Sequence, residues 1–158
     1  MNPCSILVPL VLAAAVVLAA PQSVRVVDSV AVSAQGDEAA HGFAGVDAQD
    51  GEAALLRWRS ATGWFSYSLK IYDDSPLAIV LLVAAGDGGR EAFDLLVDGT
   101  KVATASRAAG RQTREQIRFD VPFALTSGKI AVTVKLQAHP GARTPRVAEV
   151  RTVQEHLE

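Results

Sequence analysis

The stretch Phe93–Ala105, FDLLVDGTKVATA, decides the fold class. Two strand-like runs flank Asp98-Gly99, a dipeptide typical of a two-residue hairpin turn, because both central positions of that turn need a positive φ angle. The register of such a hairpin places Leu95 opposite Val102. The stretch therefore predicts two neighbouring antiparallel strands.

Similar short runs, separated by turn residues, extend along the chain on both sides of this hairpin, as in a β-sandwich. Besides the two hairpin strands, the predicted strands are Val24–Val32, Leu55–Arg59, Trp64–Ile71, Leu77–Ala85, Gln116–Val121, Lys129–Ala138 and Arg146–Val153. Leu77–Ala85 is apolar on both faces and is therefore predicted to be a central strand. Ser60–Gly63 reads as a turn, and the polar, glycine-rich segment Ser33–Ala53 reads as a long loop.

Alternation of apolar and polar residues assigns faces to the strands. The predicted core residues are Phe65, Tyr67, Leu69 and Ile71 in one strand, Ile117, Phe119 and Val121 in another, and Ile130, Val132, Val134 and Leu136 in a third. No convincing helix is predicted beyond the N-terminal apolar run. The chain is thus predicted to be all-β, an antiparallel β-sandwich of about nine strands with a jelly-roll, galactose-binding-like architecture.

The N-terminus is predicted to be a signal peptide or apolar leader over residues 1–23, followed by the sandwich domain over residues 24–158. Ile6–Ala20 is a run of 15 apolar or small residues with no charge, shorter than the roughly 20 residues of a bilayer span. The start lacks a Lys or Arg, and Pro21 follows the best cleavage position, so an uncleaved anchor and a misassigned gene start are the alternatives. Cleavage would leave a secreted or periplasmic domain with no stable membrane anchor.

Charge and cysteine content exclude several function classes. The formal net charge is −2 and no basic stripe is present, so a nucleic-acid partner has no electrostatic basis. The only cysteine is Cys4, so the predicted domain has no disulfide, no thiolate nucleophile and no cysteine-based zinc site. No nucleophile–base motif or phosphate-binding loop is present, which disfavours a self-sufficient hydrolase.

Four motifs carry a family resemblance. RWRSATGWFSYSLKI (Arg57–Ile71), FDLLVDGTKVA (Phe93–Ala103) and GKIAVTVKLQAHPG (Gly128–Gly141) resemble, in this order, the C-terminal β-sandwich domain of bacterial β-L-arabinofuranosidase-type glycoside hydrolases of family 127. The upstream HGFAGVDAQDG (His41–Gly51) resembles that domain's His-x-Phe-x-Gly loop. The resemblance runs from about Arg25 to Thr152.

This resemblance implies an accessory domain and no enzyme. The family's catalytic glutamate and zinc-bound cysteine cluster lie in a separate α/α-barrel domain, for which this chain has no counterpart. The implied function is a non-catalytic secreted module, without a cofactor, that binds a glycan or docks to a carbohydrate-active enzyme domain. The alternative is a purely structural domain or a fragment split from such a hydrolase, with no ligand of its own. One departure is Ala142–Arg146, where the family usually has small, glycine-rich residues.

Five residues are candidate ligand contacts. Trp64 is out of phase with the core face of its strand, so it is either a stacking platform for a sugar ring or covered by the Ser33–Ala53 loop. Arg57 and Arg59 share a face and either contact carbohydrate hydroxyls or form solvated ion pairs. His41 and His139 either pin loops to the rim by bonding backbone groups or line a ligand site together. His139 precedes Pro140, which ends its strand.

Three clustered carboxylates, Asp47, Asp50 and Glu52, are weak candidates for a structural calcium. Their spacing does not match an EF-hand loop. No other metal site is predicted.

Overall fold

The structure, a computed structural model, describes residues 23–32, 36–107 and 114–156. Nine strands account for most of these residues: β1 (Ser23–Ala31), β2 (Ala44–Ala53), β3 (Leu56–Lys70), β4 (Leu77–Val83), β5 (Glu91–Val97), β6 (Thr100–Arg107), β7 (Glu115–Val121), β8 (Ala131–Ala138) and β9 (Val147–His156). A one-turn helix, α1 (Asp37–Ala40), precedes β2, and a 3-10 turn at Phe123–Leu125 follows β7.

The strands form two antiparallel sheets. The first has the order β6-β5-β8-β3-β2, and the second has the order β1-β9-β4-β7. A single residue pair, Arg59 with Val147, joins β3 to β9 and connects the two sheets. Since β3 is 15 residues long, its first half borders β9 and its second half borders β8. The predicted nine-stranded antiparallel β-sandwich is confirmed.

The core lies between the two sheets. Phe65 and Tyr67 of β3 and Ile79 and Leu81 of β4 are all fully buried in one apolar cluster. The predicted core faces are confirmed for β3 and for Val132, Val134 and Leu136 of β8. Burial of this apolar surface supplies the main driving force for folding.

The prediction for Ile130 is wrong. Its side chain is 77% exposed, because β8 begins one residue later, at Ala131. The period-two alternation therefore does not extend to Ile130.

The predicted loop Ser33–Ala53 is wrong, since α1 and β2 lie within it. β2 is an edge strand whose side chains are mostly exposed on both faces, so it lacks the alternation that marks a half-buried strand. Its turn to β3 consists of Ala54 and Leu55, with φ angles of 50° and 64°. Neither residue type is a usual signal for a turn with positive φ.

The predicted turn Ser60–Gly63 is also wrong, because β3 runs through it without a break. Gly63 is needed for a close approach of strands. A Cβ at Gly63 would lie 2.3 Å from the carbonyl oxygen of Val46. At this point β2 bulges, with Asp47 at φ 53°. Glycine is thus required here by backbone contact within a strand.

The Asp98-Gly99 hairpin is confirmed, with φ angles of 49° and 82°. The predicted register is wrong by one residue, because Leu95 pairs with Ala103 and Val102 is the extra residue of a bulge. β4 is central, as predicted, since it pairs with both β7 and β9.

The predicted leader lies almost entirely outside the described residues, and its boundary with the domain stays a prediction. Within the described ranges, no helix has the length and apolar character needed to span a membrane.

Candidate functional site

A row of side chains crosses the outer face of the first sheet. It begins with Trp64 and continues with polar residues. Trp64 of β3 pairs with Gln137 of β8, Gln137 pairs with Asp94 of β5, and Asp94 pairs with Thr104 of β6. Because their sequence neighbours on β3, β8 and β5 point into the core, these side chains point outward. We call this surface, together with Lys135 and His139, the Trp64 face.

The indole of Trp64 is half-buried and carries a lysine on its ring. The Nζ atom of Lys135 lies 4.3 Å from the ring centroid, a cation–π contact. The predicted covering segment instead includes the neighbouring strand β2, with Val46 paired to Trp64. A cation–π contact at an exposed site contributes only about 0.5–1 kcal/mol. A ligand that stacks on the indole could therefore displace the flexible lysine side chain.

His139 directly follows the end of β8 and belongs to the Trp64 face. Its backbone N–H donates to the carbonyl of Ala92 over 2.9 Å, which fixes the corner. Its Nε2 atom lies 2.8 Å from Oδ1 of Asp94, which also accepts a hydrogen bond of 2.6 Å from the Thr104 hydroxyl. The hydrogen bonds from Thr104 and His139 lower the pKa of Asp94 below its ordinary value. Asp94 is therefore a charged, oriented hydrogen-bond acceptor at neutral pH.

A pocket of about 320 Å³ adjoins the Trp64 face. It is lined by Thr62, Gly89, Arg90, Gly141, Ala142 and Arg143. Thr62 precedes Trp64 by two residues on β3, and Gly141 follows His139 by two, so the pocket continues the face beyond the end of β8. The loop that follows β8 thus forms one wall of a shallow, open site.

Arg59 lies on the opposite side of β3 and is engaged within the domain. Its guanidinium donates to both carboxylate oxygens of Glu38 in α1, over 3.1 and 2.7 Å, and lies 4.4 Å from the ring centroid of Phe43. The hydroxyl of Tyr67 donates to the same carboxylate over 2.6 Å. Burial, and then the neighbouring Glu38, raise the pKa of Tyr67 far above its ordinary value, so the hydroxyl stays neutral. This network attaches α1 to β3.

Arg57 and His41 are also remote from the Trp64 face. Arg57 forms an ion pair of 3.3 Å with Asp50, and both side chains are 50% exposed. The Nδ1 atom of His41 donates to the carbonyl of Asp37 over 2.7 Å, and its Nε2 atom lies 3.2 Å from Asp28 Oδ1. His41 therefore connects α1 to β1. The structure brings Trp64 and His139 onto one surface but places Arg57, Arg59 and His41 elsewhere.

Burial alone lowers the pKa of His41. The hydrogen bond to the Asp37 carbonyl and the carboxylate of Asp28 outweigh that effect, so the pKa is raised above its ordinary value. The pKa of Asp28 moves the other way. Burial raises it, but donors from the backbone of Lys70 and from His41 lower it overall. The two groups therefore favour each other's charged forms.

The candidate calcium ligands do not form a metal site. Asp47, Asp50 and Glu52 all lie on β2, and Asp50 contacts the guanidinium groups of Arg57 and Arg59. No group of three or more His, Cys, Asp or Glu side chains with metal-binding geometry is found in the described part of the chain.

Several solved structures share this fold. A family 35 carbohydrate-binding module from an environmental isolate is 12% identical with a TM-score of 0.62, over 82% of this chain and 98% of that chain. A family 36 carbohydrate-binding module in complex with calcium and xylotriose is 16% identical with a TM-score of 0.50, over 71% and 92%. An exo-β-1,3-galactanase from Phanerochaete chrysosporium is 7% identical with a TM-score of 0.57, over 78% of this chain and 28% of that chain.

At these identities the likenesses establish the fold, and they agree with the predicted jelly-roll sandwich. No curated protein matches the sequence. The model of a family of unknown function, DUF6805, matches residues 23–153, and the chain belongs to this family.

Proposed function

We propose that this domain is a non-catalytic glycan-binding module and that it binds its glycan on the Trp64 face. The observation that carries the proposal is a half-buried tryptophan on an otherwise polar sheet face, beside a shallow, open pocket. The apolar C–H groups of a sugar ring pack against an indole, while its hydroxyls need donors and acceptors alongside. Gln137, Asp94 and Thr104 supply such groups in one row across the sheet.

The names of the similar structures support this proposal. Two of them are carbohydrate-binding modules that this chain matches over nearly their whole length. The galactanase match spans only 28% of that chain, which fits a module that accompanies a catalytic domain. We extend the proposal to an association with β-L-arabinofuranosidase-type hydrolases and to arabinose-containing plant glycans, on the strength of the motif resemblance. Export through the predicted leader is part of the same proposal.

The chemistry of the face argues against general acid catalysis. Its one carboxylate, Asp94, is held ionised by Thr104 and His139 and has a lowered pKa. A glycosidase acid needs a raised pKa to donate a proton near neutral pH. Asp94 is therefore suited to accept hydrogen bonds from sugar hydroxyls and unsuited to general acid catalysis.

We further propose that binding does not require calcium. The family 36 structure contains calcium, but the three candidate carboxylates of β2 do not converge in this chain. Addition of EDTA should leave glycan binding unchanged. A loss of binding on EDTA treatment that calcium restores would overturn this part of the proposal.

A second candidate function is docking to a partner domain. Tyr72, Phe123 and Ile130 are 44%, 45% and 77% exposed. The Ile71 N–H donates to the carbonyl of Ile130 over 3.0 Å, which brings the segments after β3 and before β8 together. A contiguous exposed apolar surface often marks a protein contact. This surface lies away from the Trp64 face, so the domain can dock and bind glycan at once.

Affinity electrophoresis tests glycan binding and its assignment to the Trp64 face. The protein is run through gels containing arabinan, arabinoxylan or pectin, and a bound polysaccharide retards it. We expect retardation of the wild type, loss of retardation for Trp64→Ala and no change for Tyr72→Ala. Unretarded wild-type protein on every polysaccharide would refute glycan binding. Equal effects of the two substitutions would refute the assignment to the Trp64 face.

A further inference from the structure

The pocket beside the Trp64 face is rigidly built. Its loop wall is held on one side by β3, where the Thr144 N–H donates to the Ala61 carbonyl over 2.9 Å. On the other side the Arg143 N–H donates to the Arg90 carbonyl, and the Ala92 N–H donates to the Arg143 carbonyl, each over 3.1 Å. The backbone of Arg143 is therefore fixed between two strands. A site supported in this way loses little conformational entropy when a ligand binds.

The guanidinium of Arg143 packs against the backbone of Gly89, which has no side chain. A Cβ at Gly89 would lie 2.5 Å from Nη2 and 2.8 Å from Cζ of Arg143. Only a glycine at this position leaves room for the guanidinium where it lies. The Nε atom of Arg143 is buried and has no hydrogen-bond partner in the described ranges. A buried donor without an acceptor is unfavourable, and a ligand oxygen that drew the guanidinium toward the pocket would relieve that cost.

The pocket has more positive than negative charge. Arg143 and Arg146 share one carboxylate, Asp87, which lies 2.8 Å from Nη2 of Arg146 and also contacts Arg143. The next acidic group, Glu91, pairs with Arg107 over 2.8 Å, and both of those side chains are about 5% exposed. Arg107 also pairs with Glu115 over 2.8 Å, so only Arg90, Arg143 and Arg146 together outnumber the carboxylates around the pocket. Arg90 lines the pocket as a further cation, and its side chain has no ion pair within the described ranges. The lining contains two arginines and no acidic residue.

The direction of the Arg143 pKa shift agrees with this excess of positive charge. Burial, and then the nearby charge of Arg146, lower the pKa of Arg143 below its ordinary value. An arginine in a folded protein keeps its proton, so Arg143 stays charged and shares the carboxylate of Asp87 with Arg146. The planar guanidinium edge matches a carboxylate, which can accept two parallel hydrogen bonds.

We infer that this pocket binds the carboxylate of an acidic sugar, so that the module prefers glycans containing uronic acid over neutral ones. The inference rests on the proposed function, because the pocket continues the Trp64 face. The sugar that stacks near Trp64 and the acidic sugar in the pocket would belong to one chain or to a main chain and its branch. The sequence of this pocket wall is the segment Ala142–Arg146, where the chain departs from the family it resembles.

Isothermal titration calorimetry with matched pairs of ligands tests this inference. The probes are oligogalacturonate with its neutral methyl ester, and a glucuronoxylan oligosaccharide with its carboxyl-reduced form. We expect the acidic member of at least one pair to bind tenfold or more tightly than its neutral partner, as for charge-assisted hydrogen bonds. Raising NaCl from about 50 to about 500 mM should reduce this preference, since the pocket is open to solvent.

Three variants decide the role of the arginines. Arg143→Gln should abolish the preference and keep binding to the neutral probe. Arg90→Gln should reduce the preference, and it serves as the second test should Arg143→Gln fail to fold, because Arg90 is exposed. The control is Arg118→Gln, an exposed arginine of β7 in the other sheet, which should behave like the wild type.

The outcomes separate the two proposals. Equal affinity for acidic and neutral probes, or a preference that survives both Arg143→Gln and Arg90→Gln, overturns the inference and leaves glycan binding intact. No binding to any probe, together with no retardation on neutral polysaccharides, overturns the proposed function itself.

Discussion

Replacement of Glu38 with alanine should destabilise the domain strongly, because this one carboxylate serves two buried partners. The substitution removes two charge-assisted hydrogen bonds from Arg59 and one from the Tyr67 hydroxyl. Deleting one member of a buried ion pair costs about 3–5 kcal/mol. The Arg59 and Glu38 side chains keep 14% and 20% exposure, so water compensates in part, and we expect a loss of about 2–4 kcal/mol.

Urea unfolding followed by circular dichroism measures this loss. With an m value of roughly 1–3 kcal/mol/M, a loss of about 3 kcal/mol lowers the midpoint by about 1 M or more. Glu38→Gln should fall between the wild type and Glu38→Ala, since an amide oxygen still accepts from Tyr67. The control is Asp120→Ala, whose carboxylate is 82% exposed beside Arg118, and we expect at most about 0.5 kcal/mol there.

A midpoint for Glu38→Ala equal to that of Asp120→Ala would refute this reasoning. It would mean that the Arg59 network is as weak as a surface ion pair and that α1 is not attached through it. Arg59 would then be free to contact a ligand, as the sequence alone allowed.

Three further predictions concern single positions. Gly99→Val should cost about 1–2 kcal/mol, because Gly99 has φ 82° and open space around it, so backbone strain alone is tested; an unchanged melting temperature would contradict the turn. Gly63→Val should be more damaging, because its Cβ would meet the Val46 carbonyl at 2.3 Å; wild-type stability in the same melt would contradict continuous pairing of β2 with β3. His41→Gln should lose stability most at about pH 5–6, where His41 and Asp28 are both charged, and least at about pH 9; a loss that grows toward high pH would have the wrong sign.

The sign of the His41 prediction follows from the two pKa directions. The pKa of His41 is raised on folding, so its contribution is present below the unfolded pKa and is lost as the pH rises through the folded one. The pKa of Asp28 is lowered on folding, so its contribution is lost as the pH falls through the folded value. The pair therefore stabilises the domain most in the mildly acidic range between the two unfolded values.

The sequence predicted those strands whose side chains alternate against a core or whose turn has a special chemistry. Phe65 and Val134 lie on buried faces that alternate with polar residues, and Asp98-Gly99 marks its own hairpin. β2 escaped prediction because an exposed edge strand has no buried face. The pairing of β2 rests on backbone hydrogen bonds, which impose little pattern on the sequence of its side chains.

The candidate site was only partly predictable from the sequence, because it depends on which strands pair with one another. The phase of β3 predicted that Trp64 points away from the core, and the structure agrees. The partners of Trp64 on this face depend on the pairing of β3 with β8 and of β8 with β5. Such contacts join residues far apart in sequence, so alternation within one strand gave no signal for Asp94 or Gln137. Likewise, nothing local indicated that Arg143 and Arg146 share the carboxylate of Asp87.

The contact between a sugar and Trp64 is the central claim, and the indole N–H signals of the two tryptophans report on it directly. Trp58 is 8% exposed, and its Nε1 atom is buried without a hydrogen-bond partner in the described ranges, so it serves as an internal control for Trp64. In ¹⁵N-resolved NMR spectra, with signals assigned by Trp58→Phe and Trp64→Phe, we titrate in the oligosaccharide that corresponds to the most strongly retarding polysaccharide. We predict that the Trp64 signal moves in a saturable manner and further than the signal of Trp58, whose ring is contacted by Arg146 next to the pocket. Saturable binding that leaves the Trp64 signal unmoved would contradict this prediction.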